Sequence, residues 1–344
     1  MGKGRVLVTG GAGFIGSHIV DQLLASGYEP FVVDNLSGGR REHVPAGVPF
    51  YEADIRDRDR LAAVFAEVKP DFVSHQAAQV SVVVSMQDPV FDAEVNILGW
   101  LRVLEQCARS GVKRVVYASS GGVLYGDVFE PADEIFPIRP VSPYGIAKWA
   151  GEKYLEFFAR EHGFKGIALR YANVYGPRQD PLGEAGVVAI FTQRLLTGEP
   201  VTIFGDGKNV RDYVYVQDVA RANLAAIEAN LQDDFTALNI GTGIGTDVNS
   251  LEVKLRLLTR NEVCRQIRDK GEGLSGSEIR NEGGKSAERS PIIYAEQRPG
   301  DLRSSLLFGR SAQRILGWHP GVSIETGLQE TVRWFMISGT LDEA

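Results

Sequence analysis

The sequence predicts an α/β protein: a doubly wound parallel sheet joined to a smaller α/β lobe that would bind a substrate. Three observations carry that prediction. Strand-like apolar runs alternate with helical stretches at Arg5–Thr9, Phe31–Asp34, Phe50–Glu52, Phe72–Gln76, Arg114–Ser119 and Gly166–Arg170, the βαβ rhythm of a parallel sheet. Three glycines, Gly10, Gly13 and Gly16, separate the first strand from the first helix. About twenty residues later the second strand ends in an acid, Asp34.

The glycine stretch Val6-Leu-Val-Thr-Gly10-Gly-Ala-Gly13-Phe14-Ile15-Gly16 explains how such a sheet would hold a dinucleotide. Gly10 permits the tight turn, Gly13 lets backbone approach a pyrophosphate, and Gly16 lets the helix pack closely on the strand. The diphosphate would sit at the helix N-terminus beside Phe14 and Ile15, among unpaired N–H groups and the positive end of the dipole. Asp34, with Asn35 beside it, would accept from the ribose 2′-hydroxyl and repel a 2′-phosphate, which favours NAD over NADP. Asp54 and Ile55 follow the third strand, where Asp54 would either meet the adenine edge or cap the next helix. The fourth strand runs into Ala77, Ala78 and Gln79, small enough in part for a cofactor to pass. His75 just before them reads as a structural histidine. This is a Rossmann arrangement.

The whole chain sets further bounds. Its 344 residues can bury a large core, and its 44% hydrophobic and 24% charged residues are ordinary for a globular protein. A net charge of −7 with no basic block argues against a nucleic-acid partner. Cys107 and Cys264 are too few and too far apart for a disulfide framework or a metal site. The N-terminus shows no signal-peptide pattern and no apolar run spans a membrane, so a cytoplasmic setting without membrane contact is expected. Residues 1–172, with a returning segment 213–243, form the expected NAD-binding domain. Residues 173–212 and 244–344 form the expected substrate lobe, carrying a polar insertion at 265–289 that reads as mobile. Long helices at Phe91–Gly111 and Ser142–His162 have apolar faces wider than one sheet needs, which points to a homodimer.

Ser142-Pro-Tyr144-Gly-Ile-Ala-Lys148 carries the expected chemistry. Ser142 caps and Pro143 opens a helix, so Tyr144 and Lys148 lie one turn apart on one face. A phenol that titrates near 10 must shift down by about three units, roughly 4 kcal/mol, to act as a base near neutrality. One positive charge about 4 Å away, at an effective dielectric of about 20, supplies about 4 kcal/mol. Lys148, aided by a positive nicotinamide ring, is therefore expected to lower it. Lys148 would also hold the nicotinamide ribose. The fifth strand delivers Ser119 and Ser120 nearby.

With the motifs in this order, from Gly10-Gly-Ala-Gly13-Phe-Ile-Gly16 to Arg298-Pro-Gly-Asp301-Leu, the chain resembles the extended short-chain dehydrogenases/reductases, specifically their nucleotide-sugar epimerase branch. The resemblance covers nearly the whole chain. It implies that Tyr144 takes the proton from a sugar C4 hydroxyl while bound NAD oxidises C4. The resulting 4-keto sugar would turn over and be reduced on its other face. It implies a UDP-sugar substrate, with Asn173, Arg211 and Arg298 on the diphosphate. Asp301 would lie on the uridine ribose, and Val188, Thr202 and Phe204 would frame the base, partly through backbone groups. Ordinary surface ion pairs are the alternative for Arg211 and Arg298.

Two features depart from the resemblance. Similar epimerases carry a Ser or Thr five residues before the Gly of Val-Tyr-Gly, but here that position is Gly121. Ser120, with Ser119 behind it, is expected to orient the sugar hydroxyl instead; Tyr125 would pack near the sugar or in the core. Positions 122 and 123 are Gly and Val, without the carboxylates that elimination chemistry needs. Ser305, where epimerases restricted to unmodified hexoses have a tyrosine, leaves room for an N-acetyl group. Expected substrates are UDP-glucose and UDP-galactose, with UDP-N-acetylhexosamines accommodated. Alternatives are a UDP-glucuronate or other NDP-sugar epimerase, with Arg178 or Arg303 near the sugar, and a non-catalytic NAD-binding scaffold.

Overall fold

A computed structural model describes residues 2–181, 186–269, 290–298 and 300–338. The first six strands are β1 (Arg5–Thr9), β2 (Glu29–Asp34), β3 (Phe50–Glu52), β4 (Phe72–His75), β5 (Arg114–Ser120) and β6 (Lys165–Tyr171). Next come β7 (Asn173–Tyr175), β8 (Val201–Phe204), β9 (Val210–Tyr215) and β10 (Phe235–Ile240). Seven of these form one parallel sheet in the order β10-β6-β5-β4-β1-β2-β3. That is the predicted doubly wound sheet, and its order reverses beside β1, where such sheets bind ligands.

Helices cover both faces. Residues from α1 (Phe14–Ala25) and α9 (Val216–Glu228) bury Ile19, Leu23, Val219 and Ala226 against one face. Residues from α2 (Arg58–Val68), α5 (Trp100–Ser110) and α7 (Pro143–His162) bury Phe65, Leu104 and Leu155 against the other. A strand buried on both sides must be apolar throughout, as Val6-Leu-Val and Val115-Val are.

A third core lies beyond this sheet. It joins β8 and β9 to α8 (Val187–Thr197), α10 (Val248–Asp269) and α12 (Ile324–Ile337) around Phe191, Tyr213, Leu251 and Val332. Here β11 (Gly245–Asp247), β9 and β13 (Ser304–Ser305) form a small sheet, with β7 also on β9, and β12 (Ile292–Ala295) pairs with β8. One further helix, α11 (Arg310–Leu316), follows β13.

Two expectations change. The single helix expected over 91–111 is three pieces: α4 (Pro89–Ala93), a wide π turn at Glu94–Gly99, and α5. The wide turn brings Asn96 inward, where its amide bonds both backbone groups of Gln79 and the Asp92 carboxylate. The expected insertion begins within α10, which is helical to Asp269; residues 270–289 lie outside the described residues. Among the described residues no helix is long and apolar enough to cross a membrane.

Candidate active site

The turn after β1 has the geometry that its glycines anticipate. Gly10 has φ +69°, and a Cβ there would lie 2.6 Å from the Ala77 nitrogen. A Cβ at Gly16 would run into the Gly10 carbonyl, so helix and turn touch backbone to backbone. Gly13 caps α1 with no side-chain hydrogen bond, and no acid occupies the first turn beside Phe14 and Ile15. A diphosphate fits that donor-rich end.

Asp34 is buried at the end of β2. Its carboxylate accepts from the Ala12 N–H at 3.0 Å and the Leu36 N–H at 2.8 Å, which opposes the upward push of burial on its pKa. It therefore sits against the glycine turn, as a ribose ligand would. Asn35 donates to Asp54 at 2.9 Å, and Arg56 grips Asp54 at 2.9 and 3.0 Å, holding that carboxylate down at about 2. Asp54 does not cap the next helix; Asp57 does, accepting from Arg60. Ile55 is buried and fills the space over Gly99.

Beyond β4, Ala77 and Ala78 keep the strand end open, both half-buried. The Gln79 amide is already engaged, donating to Asp92 at 2.7 Å and to the Ser81 carbonyl at 2.9 Å. His75 is buried, bonded to Thr9 Oγ1 at 2.7 Å and stacked on Trp100. It packs as a structural histidine.

Ser142 accepts from the Gly145 N–H at 3.1 Å, and α7 starts as predicted. One turn apart, Lys148 Nζ lies 5.6 Å from the Tyr144 ring centroid, donates to the Ala118 carbonyl at 2.9 Å, and sits 5.1 Å from the Tyr117 ring. The protein's own groups act on the phenol in the opposite direction to the one expected of Lys148 and the nicotinamide ring together. Burial, aided by the Asp92 charge, pushes Tyr144 up, while a hydrogen bond with Ser120 works the other way. Burial also lowers Lys148 to about 8, with Asp92 opposing. Desolvation of a phenolate in this site outweighs a lysine that is itself poorly solvated.

Ser119 and Ser120 part company. Ser119 is buried and donates to Glu152 Oε1 at 2.5 Å, while Ser120 is the hydroxyl beside Tyr144. Tyr125 belongs to the core, taking a bond from Arg170 and giving one to Asn239, both at 2.8 Å. Asn173 opens β7, and its amide oxygen would lie 3.6 Å from a Cβ on Gly122. So Tyr144, Lys148, Ser120 and Asn173 converge at the C-terminal ends of β5 and β6.

The other expected substrate contacts fall into two groups. Arg211 donates to the Val210 carbonyl and is the strand partner of buried Ser305. Arg298 stacks over the Phe204 ring at 3.8 Å, and Asp301 lies exposed just after it. Thr202 pairs with Ile293 in the small β8–β12 sheet. Val188 differs: its side chain is buried in the third core. Arg178 and Arg303 are likewise committed, Arg178 to Asp21 at 2.8 Å and Arg303 to Asp206 at 2.7 and 2.8 Å. Neither is left to meet a sugar carboxylate.

Sequence reading missed Asp92, Asn96, Glu152 and Arg170. Glu152 had a legible signal, four and eight residues beyond Lys148 and Tyr144 on the same helical face. A π turn leaves no such trace in periodicity.

Fold and site together define an NAD-binding enzyme of the doubly wound α/β class, with a Tyr–Lys pair beside the cofactor cradle. The chain belongs to the NAD dependent epimerase/dehydratase family, whose model matches residues 6–241. It is 40% identical over 337 residues to the UDP-glucose 4-epimerase of Mycolicibacterium smegmatis, covering 96% of this chain and 98% of that one. The structure of the Thermotoga maritima UDP-glucose 4-epimerase with UDP-glucose superposes with a TM-score of 0.86 at 47% identity, covering 97% and 99%. The Thermus thermophilus UDP-glucose 4-epimerase in complex with NAD gives a TM-score of 0.85 at 46% identity, with the same coverage.

Proposed function

We propose that the protein interconverts the C4 epimers of a UDP-hexose, UDP-glucose and UDP-galactose foremost. The observation that carries this is the Tyr144–Ser120–Lys148 cluster, set beside a cofactor cradle and facing Asn173. NAD, when bound, supplies reversible oxidation at the sugar carbon. Ser120 orients the C4 hydroxyl, and Tyr144 removes its proton and later returns one. Lys148 holds the nicotinamide ribose. Its charge, together with that of bound NAD, would offset the burial that pushes Tyr144 up, so that the phenol can give up its proton near neutrality.

The cofactor residues are Gly10, Gly13, Phe14, Ile15, Gly16, Asp34, Asn35, Asp54, Ile55, Ala77, Ala78 and Gln79. Asn173, Arg211 and Arg298 take the diphosphate, with Asp301, Thr202 and Phe204 around the uridine. A guanidinium fork suits phosphate oxygens, and Arg211 has a neutral carbonyl partner that permits the second contact. Residues 1–172 with 213–243 serve the cofactor, and the rest serves the sugar nucleotide. The small side chain of Ser305, on the strand beside Arg211, supports acceptance of UDP-N-acetylhexosamines as well. The commitment of Arg178 and Arg303 to carboxylates favours a neutral hexose over a glucuronate.

The protein works as a homodimer. Ile146, Trp149, Tyr154 and Phe157 stand exposed on α7, and Met86 and Val90 are exposed on the neighbouring α3 (Val82–Gln87) and α4. Contiguous apolar area of this kind is what an interface covers.

The test is direct. Purified protein given UDP-galactose should form UDP-glucose, and Tyr144→Phe should abolish conversion while leaving the fold intact. Full conversion by the phenylalanine variant would remove Tyr144 from its role.

A further inference from the structure

Gly121 stands where the resemblance implies a hydroxyl, and the structure shows what excludes a side chain there. Gly121 opens the short helix α6 (Gly121–Leu124), and its φ is not among the positive values. Backbone conformation therefore does not demand glycine. Space does. A Cβ at 121 would collide with one Leu307 methyl and lie 2.8 Å from the other, with Leu307 Cγ at 3.2 Å. Contacts that short cannot be absorbed without displacing the leucine.

The Leu307 side chain is packed and its backbone is held. It is 1% exposed, and its N–H donates to the buried Asp212 carboxylate at 3.3 Å. Asp212 is itself held by Thr242 and Gly243. Ala132 bonds the chain on both sides of Leu307, donating to the Leu306 carbonyl at 3.0 Å and accepting from the Phe308 N–H at 2.8 Å. Behind it, a Cβ on Gly241 would already lie 2.8 Å from Leu307 Cβ. The next residue is open by contrast: a Cβ at Gly122 would meet only Asn173 Oδ1 at 3.6 Å and Ser120 Oγ at 3.8 Å.

The geometry points to Leu307 as the positioning residue that fixes where the hydroxyl partner of Tyr144 is carried. Its side chain fills the place of a side chain at 121 and leaves Ser120, at the end of β5, to supply the hydroxyl. Gly121 and Leu307 form one interlocked unit whose identities must change together. This rests on the epimerase reading for its catalytic part only; the steric part stands on the fold.

Two experiments separate those parts. In a thermal-melting cycle, Gly121→Ala should lower the melting midpoint in the native background. It should cost much less beside Leu307→Ala, which opens the needed volume. Equal losses in both backgrounds overturn the exclusion, whatever the enzyme does. In the second, UDP-galactose conversion is followed with bound NAD measured in each variant. Ser120→Ala should lower kcat about 100-fold with little change in KM. Ser120→Ala/Gly121→Ser/Leu307→Ala should recover at least about 10-fold in kcat over Ser120→Ala/Leu307→Ala. A triple variant that folds, keeps its NAD and gains nothing overturns the assignment of position by Leu307. Failure of the wild-type protein to convert UDP-galactose would instead sink the epimerase reading and leave the melting cycle to decide the rest.

Discussion

Arg170 closes a two-point ion pair on Glu152, Nε to Oε1 at 2.9 Å and Nη2 to Oε2 at 2.7 Å, with both side chains buried. The pair ties β6 to α7, the helix of Tyr144 and Lys148. Ser119 joins through Glu152, and Tyr125 joins through Arg170 and passes the network to Asn239 on β10. Three sheet strands and α7 thus share one polar knot that includes Ser119, the neighbour of Ser120. A buried pair of this kind gains little over apolar packing, but stranding one partner is expensive.

Glu152→Gln should therefore cost about 3–5 kcal/mol in urea unfolding, because Arg170 is left with an uncompensated charge. Glu152→Leu/Arg170→Met should cost less than the sum of its two single changes. Additive losses would show that the two charges do not act as a pair.

The titration of the site gives a second prediction. Burial holds Lys148 near 8, so the ammonium is lost as pH rises through that value, and the Asp92 charge opposes the loss. The alkaline limb of kcat/KM should fall near pH 8. Asp92→Asn removes the opposing charge, so the limb should move to lower pH. A shift to higher pH, or none, would show that Asp92 does not act on the lysine.

At the cradle, Gly16→Ala places a methyl against the Gly10 carbonyl, 2.8 Å from its carbon and 2.9 Å from Gly11 Cα. Backbone on that side cannot yield, so a loss of about 1–3 kcal/mol is expected. NAD retained through purification should drop at least about tenfold, an affinity change of about 1.4 kcal/mol. Gly38→Ala, with open space around its Cβ, is the matched control and should change neither quantity.

His18 predicts an acid limit on stability. Burial lowers it to about 4, against a bond to the Pro177 carbonyl that opposes the shift. The unfolded chain, titrating near 6.5, binds a proton that the folded one refuses. This contribution is complete above about pH 6.5 and is lost progressively towards about pH 4, amounting to about 3 kcal/mol. His18→Gln can keep the carbonyl bond without titrating. Its stability should fall less steeply over that interval, by about one proton. Parallel slopes for the two proteins would contradict the assignment.

Much of this was legible in the chain, and the failures have physical causes. Strand alternation, the glycine turn and the Ser142 cap were readable because each is a local rule: apolar period, φ and steric room, one side chain on its own backbone. Asp34 was readable for the same reason. The break at Glu94–Gly99 was not, because a π turn depends on Asn96 finding Gln79 across the sheet end. The commitments of Arg178 to Asp21 and Arg303 to Asp206 join residues far apart in sequence. The upward push of burial on Tyr144 was not legible because a Coulomb estimate from Lys148 omits desolvation, which depends on everything packed around the ring. That helix α8 turns the Val188 side chain into the third core, leaving its backbone to frame a base, was not legible either.

The measurement closest to the central claim follows the hydrogen on the sugar carbon itself. UDP-galactose deuterated at C4 is incubated with the purified protein in ordinary water, and the product is read by mass and NMR. Tyr144 acting on the hydroxyl proton alone predicts UDP-glucose that keeps its deuterium at C4. Product whose C4 deuterium has exchanged with solvent would contradict the account.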